Sequence, residues 1–235
     1  MQHIPLQCGR NNFFQIVADR VPAASVSGVP ATASTSKDPL PDKIEERILD
    51  AARRQFERLG VKKTTIGDIA REAAVDRGTV YRRIGSRDEL VRAVTAREVH
   101  TLLDELHAIP ARHATVDAVV ADLFVTVISR WRGHRLVNRM LSLEPTRLLP
   151  QLTTEGGAFF AMAITTATAV VGDALRRLRS PDIPDLAPRI EIAARIVHSL
   201  ILQPVGAVDL ESEDRLAEFA HRHIVPLITG GYPAC

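Results

Sequence analysis

Four arginines, Arg77, Arg82, Arg83 and Arg87, fall within the stretch DRGTVYRRIGSRDEL (residues 76–90) of a 235-residue chain whose formal net charge is only +2. A guanidinium donates hydrogen bonds in a planar fork, which suits paired oxygens on a phosphate and the acceptor edge of a guanine. Gly78 stands among them with no side chain, so the backbone can approach a partner closely. Thr79 carries a hydroxyl for phosphate and a methyl for thymine, while Tyr81, Arg82 and Arg83 can reach a sugar-phosphate backbone or groove wall. The competing reading is a solvated face in which Asp76, Asp88 and Glu89 balance the arginines. The elements that carry these residues decide between the two.

From residue 42 onward the apolar spacing is helical almost throughout. Ile44, Ile48, Leu49, Ala52, Phe56 and Leu59 make one face of a first helix over 42–59, with Asp42 as its cap, Glu45 and Glu46 at its positive end and Gly60 as its stop. Thr64 or Thr65 caps a short helix over 65–73 bearing Ile66, Ile69, Ala70 and Ala73. Asp76 caps another over 76–84 bearing Val80 and Ile84. Ser86 with Glu89 forms a capping box ahead of a long helix with Leu90, Val94, Leu102, Leu103 and Leu106. Two short capped helices about three residues apart have the spacing of a helix-turn-helix, whose second helix enters the major groove. Arg77, at the start of that helix, is the expected base reader. The arrangement therefore favours contact with double-stranded DNA over the solvated face.

Pro110 marks a boundary, after which helices are expected at about 115–132, 134–143, 153–179, 188–205 and 211–228, punctuated by prolines. With no convincing alternating strand, the fold class is all-α, about nine helices in a small front bundle and a larger rear one. The division reads as 1–41, 42–88 and 89–235. Residues 1–41 are rich in Pro, Ala, Ser and Thr, which indicates a disordered or loosely attached arm; only residues 11–21 have apolar content for a short helix or a docking segment. A mis-assigned start and a partner-binding arm both fit. Charge is distributed unevenly: residues 42–100 hold 14 Lys and Arg against 11 Asp and Glu, whereas residues 101–235 hold 13 against 15.

Other chemistries lack their residues. Cys8 and Cys235 lie near opposite ends, which argues against a disulfide framework or metal cluster. His221 and His223 project about 200° apart on a helix and cannot readily share a metal. There is no GxSxG, P-loop or dinucleotide fingerprint. No enzyme, cofactor or metal is expected. No apolar run reaches the roughly 18 residues of a membrane span, so the chain reads as soluble and cytoplasmic, with no membrane partner.

The stretch ILDAARRQFERLGVKKTTIGDIAREAAVDRGTVYRRIGSRDELVRAV resembles the DNA-binding domain of the tetracycline-repressor (TetR-like) family of bacterial transcription regulators. Ala52, Phe56, Gly60, Thr64, Thr65, Ile69, Ala70, Ala73, Val75, Gly78, Thr79, Tyr81, Ser86 and Leu90 carry the likeness, which covers about residues 44–94. The resemblance implies that Thr65, Tyr81 and Arg87 meet phosphates. It also implies a homodimer, usually a repressor, whose rear domain binds a small molecule and thereby releases an inverted-repeat operator. Two positions depart from the pattern: Ala74 stands where glycine is common, and Ile84 where an aromatic is common. A left-handed Ala74 would cost about 1 kcal/mol.

The rear region matches no further motif. By the resemblance, its last two long helices pair with their copies in the dimer, through Ile192, Ile196 and Leu200 on one and Leu216, Phe219, Ala220 and Ile224 on the other. An apolar stripe of this kind equally describes an ordinary core face. A pocket among the fifth to eighth helices would draw on Phe124, Ile128, Trp131, Met140, Phe159, Phe160, Met162, Thr165 and Thr166, a lining suited to a hydrophobic or amphipathic ligand; the same residues could simply fill a core. The alternative function is a degenerate regulator that serves as a protein-interaction module without specific DNA binding. Intact Arg77, Gly78, Thr79 and Tyr81 count against it.

Overall fold

The computed structural model describes residues 43–230, so the N-terminal arm, Cys8, Cys235 and the cap expected at Asp42 lie outside the described residues. The elements are α1 (Lys43–Leu59), α2 (Ile66–Glu72), α3 (Arg77–Arg83), α4 (Arg87–Ala108), a 3-10 turn (Ile109–Arg112), α5 (Val116–Gly133), α6 (Arg135–Leu143), α7 (Pro145–Leu152), α8 (Gly157–Leu178), α9 (Leu186–Leu202), α10 (Glu213–Phe219), a π segment (Ala220–Ile224) and α11 (Val225–Thr229). No strand occurs among the described residues. The all-α expectation holds.

Local chemistry explains the front boundaries. Gly60, at φ 82°, ends α1 and its amide donates to Phe56 O at 2.9 Å. Thr64 is buried and donates to Gly60 O at 2.8 Å, which leaves Thr65 as the cap of α2. The second half departs from expectation in places. Pro145 starts α7 rather than breaking the chain, because the first helical position needs no amide donor. The preceding turn delays α8 to Gly157, and α10 runs into a π segment, so its apolar face shifts within one helical run.

Two apolar clusters form the interior. The front cluster joins Ile48, Ala52 and Phe56 of α1, Ile69 of α2 and Val80 of α3 with Leu90, Val91 and Val94 of α4, and also takes in Leu136 and Met140 of α6 and Leu148 and Leu152 of α7. The rear cluster gathers Leu106, Val119, Phe124, Val171, Ile190, Leu216 and Ile224. Helix α4 therefore contributes to both, its first half in the front and Leu106 in the rear. Ion pairs hold it to α1, with Arg97 2.9 Å from Asp50 and Arg53 3.8 Å from Glu98.

Contrary to the sequence expectation, one helix among the described residues, α8, is long and apolar enough to cross a membrane by length and composition alone. Its alanines, threonines and glycines dilute the run to the eye while leaving few charges. Gly157, Ala161, Thr165 and Ala169, spaced four apart, are all exposed, and at that spacing they share one face.

Candidate nucleic-acid interface

Each short helix of the reading head is set by its own first residue. Thr65 caps α2, accepting from Asp68 N at 3.2 Å, while the Asp68 carboxylate accepts from the Thr65 hydroxyl at 2.6 Å. That hydroxyl bond, with the Thr65 amide, holds the Asp68 carboxyl below the usual carboxylate range. Asp76 caps α3, accepting from Thr79 N at 2.7 Å and from the Thr79 hydroxyl at 2.7 Å. The Thr79 hydroxyl and then its amide depress the Asp76 carboxyl in the same way. Ser86 and Glu89 close the expected box at α4, and the Ser86 amide and hydroxyl lower the Glu89 carboxyl.

The turn between α2 and α3 is tight. Val75 N donates to Ala70 O at 2.9 Å, and Ala74 sits at φ 51°, in the left-handed region where glycine is at ease. Arg47 reaches across from α1 and donates to Ala73 O at 2.5 Å and Ala74 O at 3.2 Å. A cation at the C-terminal end of α2 thus holds carbonyls that the helix leaves unpaired.

The exposed face of α3 carries Arg77, Gly78, Tyr81, Arg82 and Arg83, with Tyr81 56% exposed. The Arg77 guanidinium lies back against α2 at Gly67: a Cβ on Gly67 would stand 2.5 Å from its Nη2. Bare backbone at residue 67 gives this side chain its resting place. Arg82 donates to the Thr79 hydroxyl at 3.0 Å. Just before Thr65 at the start of α2, Lys62 and Lys63 are exposed and add two cations. The sequence reading passed over them, although KKTT ahead of a capped helix was a legible signal.

Two of the expected DNA contacts are engaged within the chain. Thr79 is buried, and its hydroxyl is hydrogen-bonded to Asp76 and Arg82, so it braces α3. Arg87 turns inward and donates to Val61 O, with its Nε buried, so its guanidinium ties α4 to the α1–α2 turn. The resemblance gave its position in the helix but not the carbonyl that draws the side chain in.

The expected pocket residues are spread over the two clusters and the partly exposed side of α8. Phe124 and Ile128 belong to the rear cluster, whereas Met140, Trp131 and Phe159 pack with the front one. Phe160 lies against His198 and under the Arg195 guanidinium, Met162 is half-buried, Thr166 is buried and Thr165 is exposed. Neither of two clefts in the described residues, of about 690 and 490 Å³, is lined by any of them. The expected dimer stripes divide likewise. Leu216, Ala220 and Ile224 are buried in the chain's own core and Phe219 stacks on Phe124 at 5.7 Å, so that face is already covered. Ile196 and Leu200 of α9 are half-buried, and Ile192 is 49% exposed.

Comparison with known proteins agrees with the geometry of the head. Residues 48–94 match the family described as bacterial regulatory proteins, tetR family. The chain is 43% identical over 61 residues to the HTH-type transcriptional regulator TtgR of Pseudomonas putida, a match covering 26% of this chain and 25% of that protein. It thus spans about a quarter of the length of that curated relative. An uncharacterised HTH-type transcriptional regulator of Mycobacterium tuberculosis is 28% identical over 184 residues, covering 78% of this chain and 85% of its own length. In fold, the chain is similar to the TetR family repressor AlkX from Dietzia sp., with a TM-score of 0.52 at 22% identity over 80% of this chain and 96% of that one. Residues 48–94 thus match the tetR family of bacterial regulatory proteins, and the chain as a whole shares the all-helical fold of a TetR family repressor.

Proposed function

We propose that this protein is a sequence-specific DNA-binding transcription regulator of the repressor type, which holds an inverted-repeat operator as a homodimer. One observation carries the reading: α3 is a short, side-chain-capped helix whose exposed face presents Arg77, Gly78, Tyr81, Arg82 and Arg83 together. In the major groove, Arg77 reads a base edge. Tyr81, Arg82 and Arg83, with Thr65, Lys62 and Lys63 at the start of α2, meet the backbone and fix the register.

Dimerisation runs through α8 and α9. The small exposed residues Gly157, Ala161, Thr165 and Ala169 allow close helix approach, and exposed Ile192 adds apolar area. Two copies then set their recognition helices about 34–36 Å apart or a multiple of it. A small ligand in the rear domain acts through α4, whose two halves belong to different cores. A ligand that prefers the non-binding separation of the heads by about 100-fold shifts the equilibrium by ~2.7 kcal/mol. The protein works in the cytoplasm, where the DNA is.

Footprinting on the DNA upstream of its own gene tests the reading. A protected inverted repeat with half-sites one or more helical turns apart is expected. Uniform, salt-sensitive coating without a protected site would reject sequence-specific regulation.

A further inference from the structure

The larger cleft, of about 690 Å³, opens between α1 and α6 and has no part in the DNA-reading face described above. Four arginines enter it, Arg54 and Arg58 from α1 and Arg135 and Arg139 from α6, and Asn138 and Ser142 add neutral hydrogen-bonding groups. Only two carboxylates share the cleft, and both are engaged. Glu72 accepts from Arg54 at 2.6 Å and from Gln55, and the Arg54 bond holds its carboxyl below the usual range. Glu57 is paired with Arg53 at 2.8 Å.

The remaining guanidiniums have capacity to spare. The Arg58 and Arg135 guanidiniums make no hydrogen bond or ion pair among the described residues, although the Arg58 charge lies close enough to Glu72 to help hold its carboxyl down. Arg139 donates through Nη2 to Arg58 O at 2.8 Å, but its Nε is buried with no partner. A buried donor without an acceptor is costly, and an arginine fork is shaped for the paired oxygens of phosphates and carboxylates.

We infer that this cleft is a binding site for a small multivalent anion bearing phosphate or carboxylate groups. The anion accepts from Arg58 and Arg135 on opposite walls, with Asn138 and Ser142 as neutral donors, and so bridges the front bundle to α6. That junction already carries contacts: Lys62 N donates to Glu144 Oε1 at 2.8 Å just beyond α6. An anion there stiffens the same joint. Binding stands on the cleft alone, while any effect on DNA affinity rests on the proposed function and is reciprocal in equilibrium terms.

Isothermal titration of the full chain, without DNA and at fixed ionic strength, tests the site with two probes, sodium pyrophosphate and sodium citrate. Saturable binding of one anion per chain is expected, and the tighter probe separates phosphate from carboxylate preference. The double variant Arg58→Gln/Arg135→Gln should bind at least about tenfold more weakly, since it loses two charge-assisted hydrogen bonds. Arg176→Gln, an exposed arginine on α8, should leave affinity unchanged. Non-saturating heats with both probes, an unweakened double variant, or equal weakening in Arg176→Gln would overturn the proposal. So would loss of the folded state in the double variant, which would make these arginines structural. A parallel titration with random-sequence duplex closes the remaining route: if the double variant loses DNA affinity with a shallower salt slope, the arginines are backbone contacts and the small-anion site is refuted.

Discussion

Replacing Ala74 by glycine should stabilise this protein, against the usual sign for an exposed alanine. Ala74 is exposed and lies at φ 51° between α2 and α3. An L residue in the left-handed region costs about 1–2 kcal/mol, and glycine avoids that cost. Glycine's larger freedom in the unfolded chain returns about 0.4–1 kcal/mol. An exposed methyl buries little, and the turn bonds of Ala74 N to Arg71 O at 3.2 Å and Val75 N to Ala70 O at 2.9 Å do not depend on it. The balance is a gain of about 0.5–1 kcal/mol, or roughly 1–4 °C in melting temperature for a chain of this size. Urea denaturation at unchanged slope reads it directly. Ala217→Gly, inside α10 at a helical φ, is the comparison and should lose about 1 kcal/mol. If Ala74→Gly loses as much as Ala217→Gly, the left-handed turn is wrong and the angle between α2 and α3 is wrong with it.

Arg87→Ala should lower stability by about 1–3 kcal/mol, because Val61 O loses its donor; a full-stability variant whose only defect is a shallower salt slope on DNA would return Arg87 to the backbone. Gly67→Ala should leave the melting temperature unchanged or raised, since alanine suits a helix, but should alter sequence preference by pushing Arg77 off α2; selection from a random duplex pool would show an altered consensus, and an identical one would refute the link. Stability should fall as pH drops below about 6.5. Burial depresses the His134 imidazole despite the nearby Glu98 and Glu57, so the unfolded chain takes up that proton first. The depressed carboxyls of Glu72, Glu89, Asp68 and Asp76 add a second loss below about 4.5. Melting temperatures between pH 8 and 5 check the sign, and His134→Gln should flatten the upper part; a melting temperature that rises on acidification would contradict it.

The head was legible because its determinants are local. Asp76 three residues before Thr79, and Ser86 three before Glu89, fix helix starts through neighbours within one turn. What a side chain does once placed is not local. Arg87 is drawn to a carbonyl 26 positions earlier in the chain, and Thr79 is claimed by Arg82 and Asp76 together. The last stripe is ambiguous for a related reason: Leu216, Ala220 and Ile224 have the same spacing whether the face meets a second copy or the chain's own α5, and the fold packs them into the chain's own core. In α8 the face left open is built from glycine, alanine and threonine, so its hydrophobic signal is faint in sequence. Helix α7 was missed because Pro145 reads as a breaker unless it occupies the first helical position. The arginines of the α1–α6 cleft are spread from residue 54 to residue 139, and no local pattern brings them together.

The most direct test of base reading by α3 is the affinity of wild-type protein and Arg77→Ala for two duplexes, one enriched from a random pool by the wild type and one scrambled, measured across a salt series. The wild type should prefer the enriched duplex. Arg77→Ala should lose about 1–3 kcal/mol of that preference while its salt slope on scrambled DNA changes by no more than about one phosphate contact. Equal losses on both duplexes, or a wild type that does not distinguish them, would contradict base reading by Arg77.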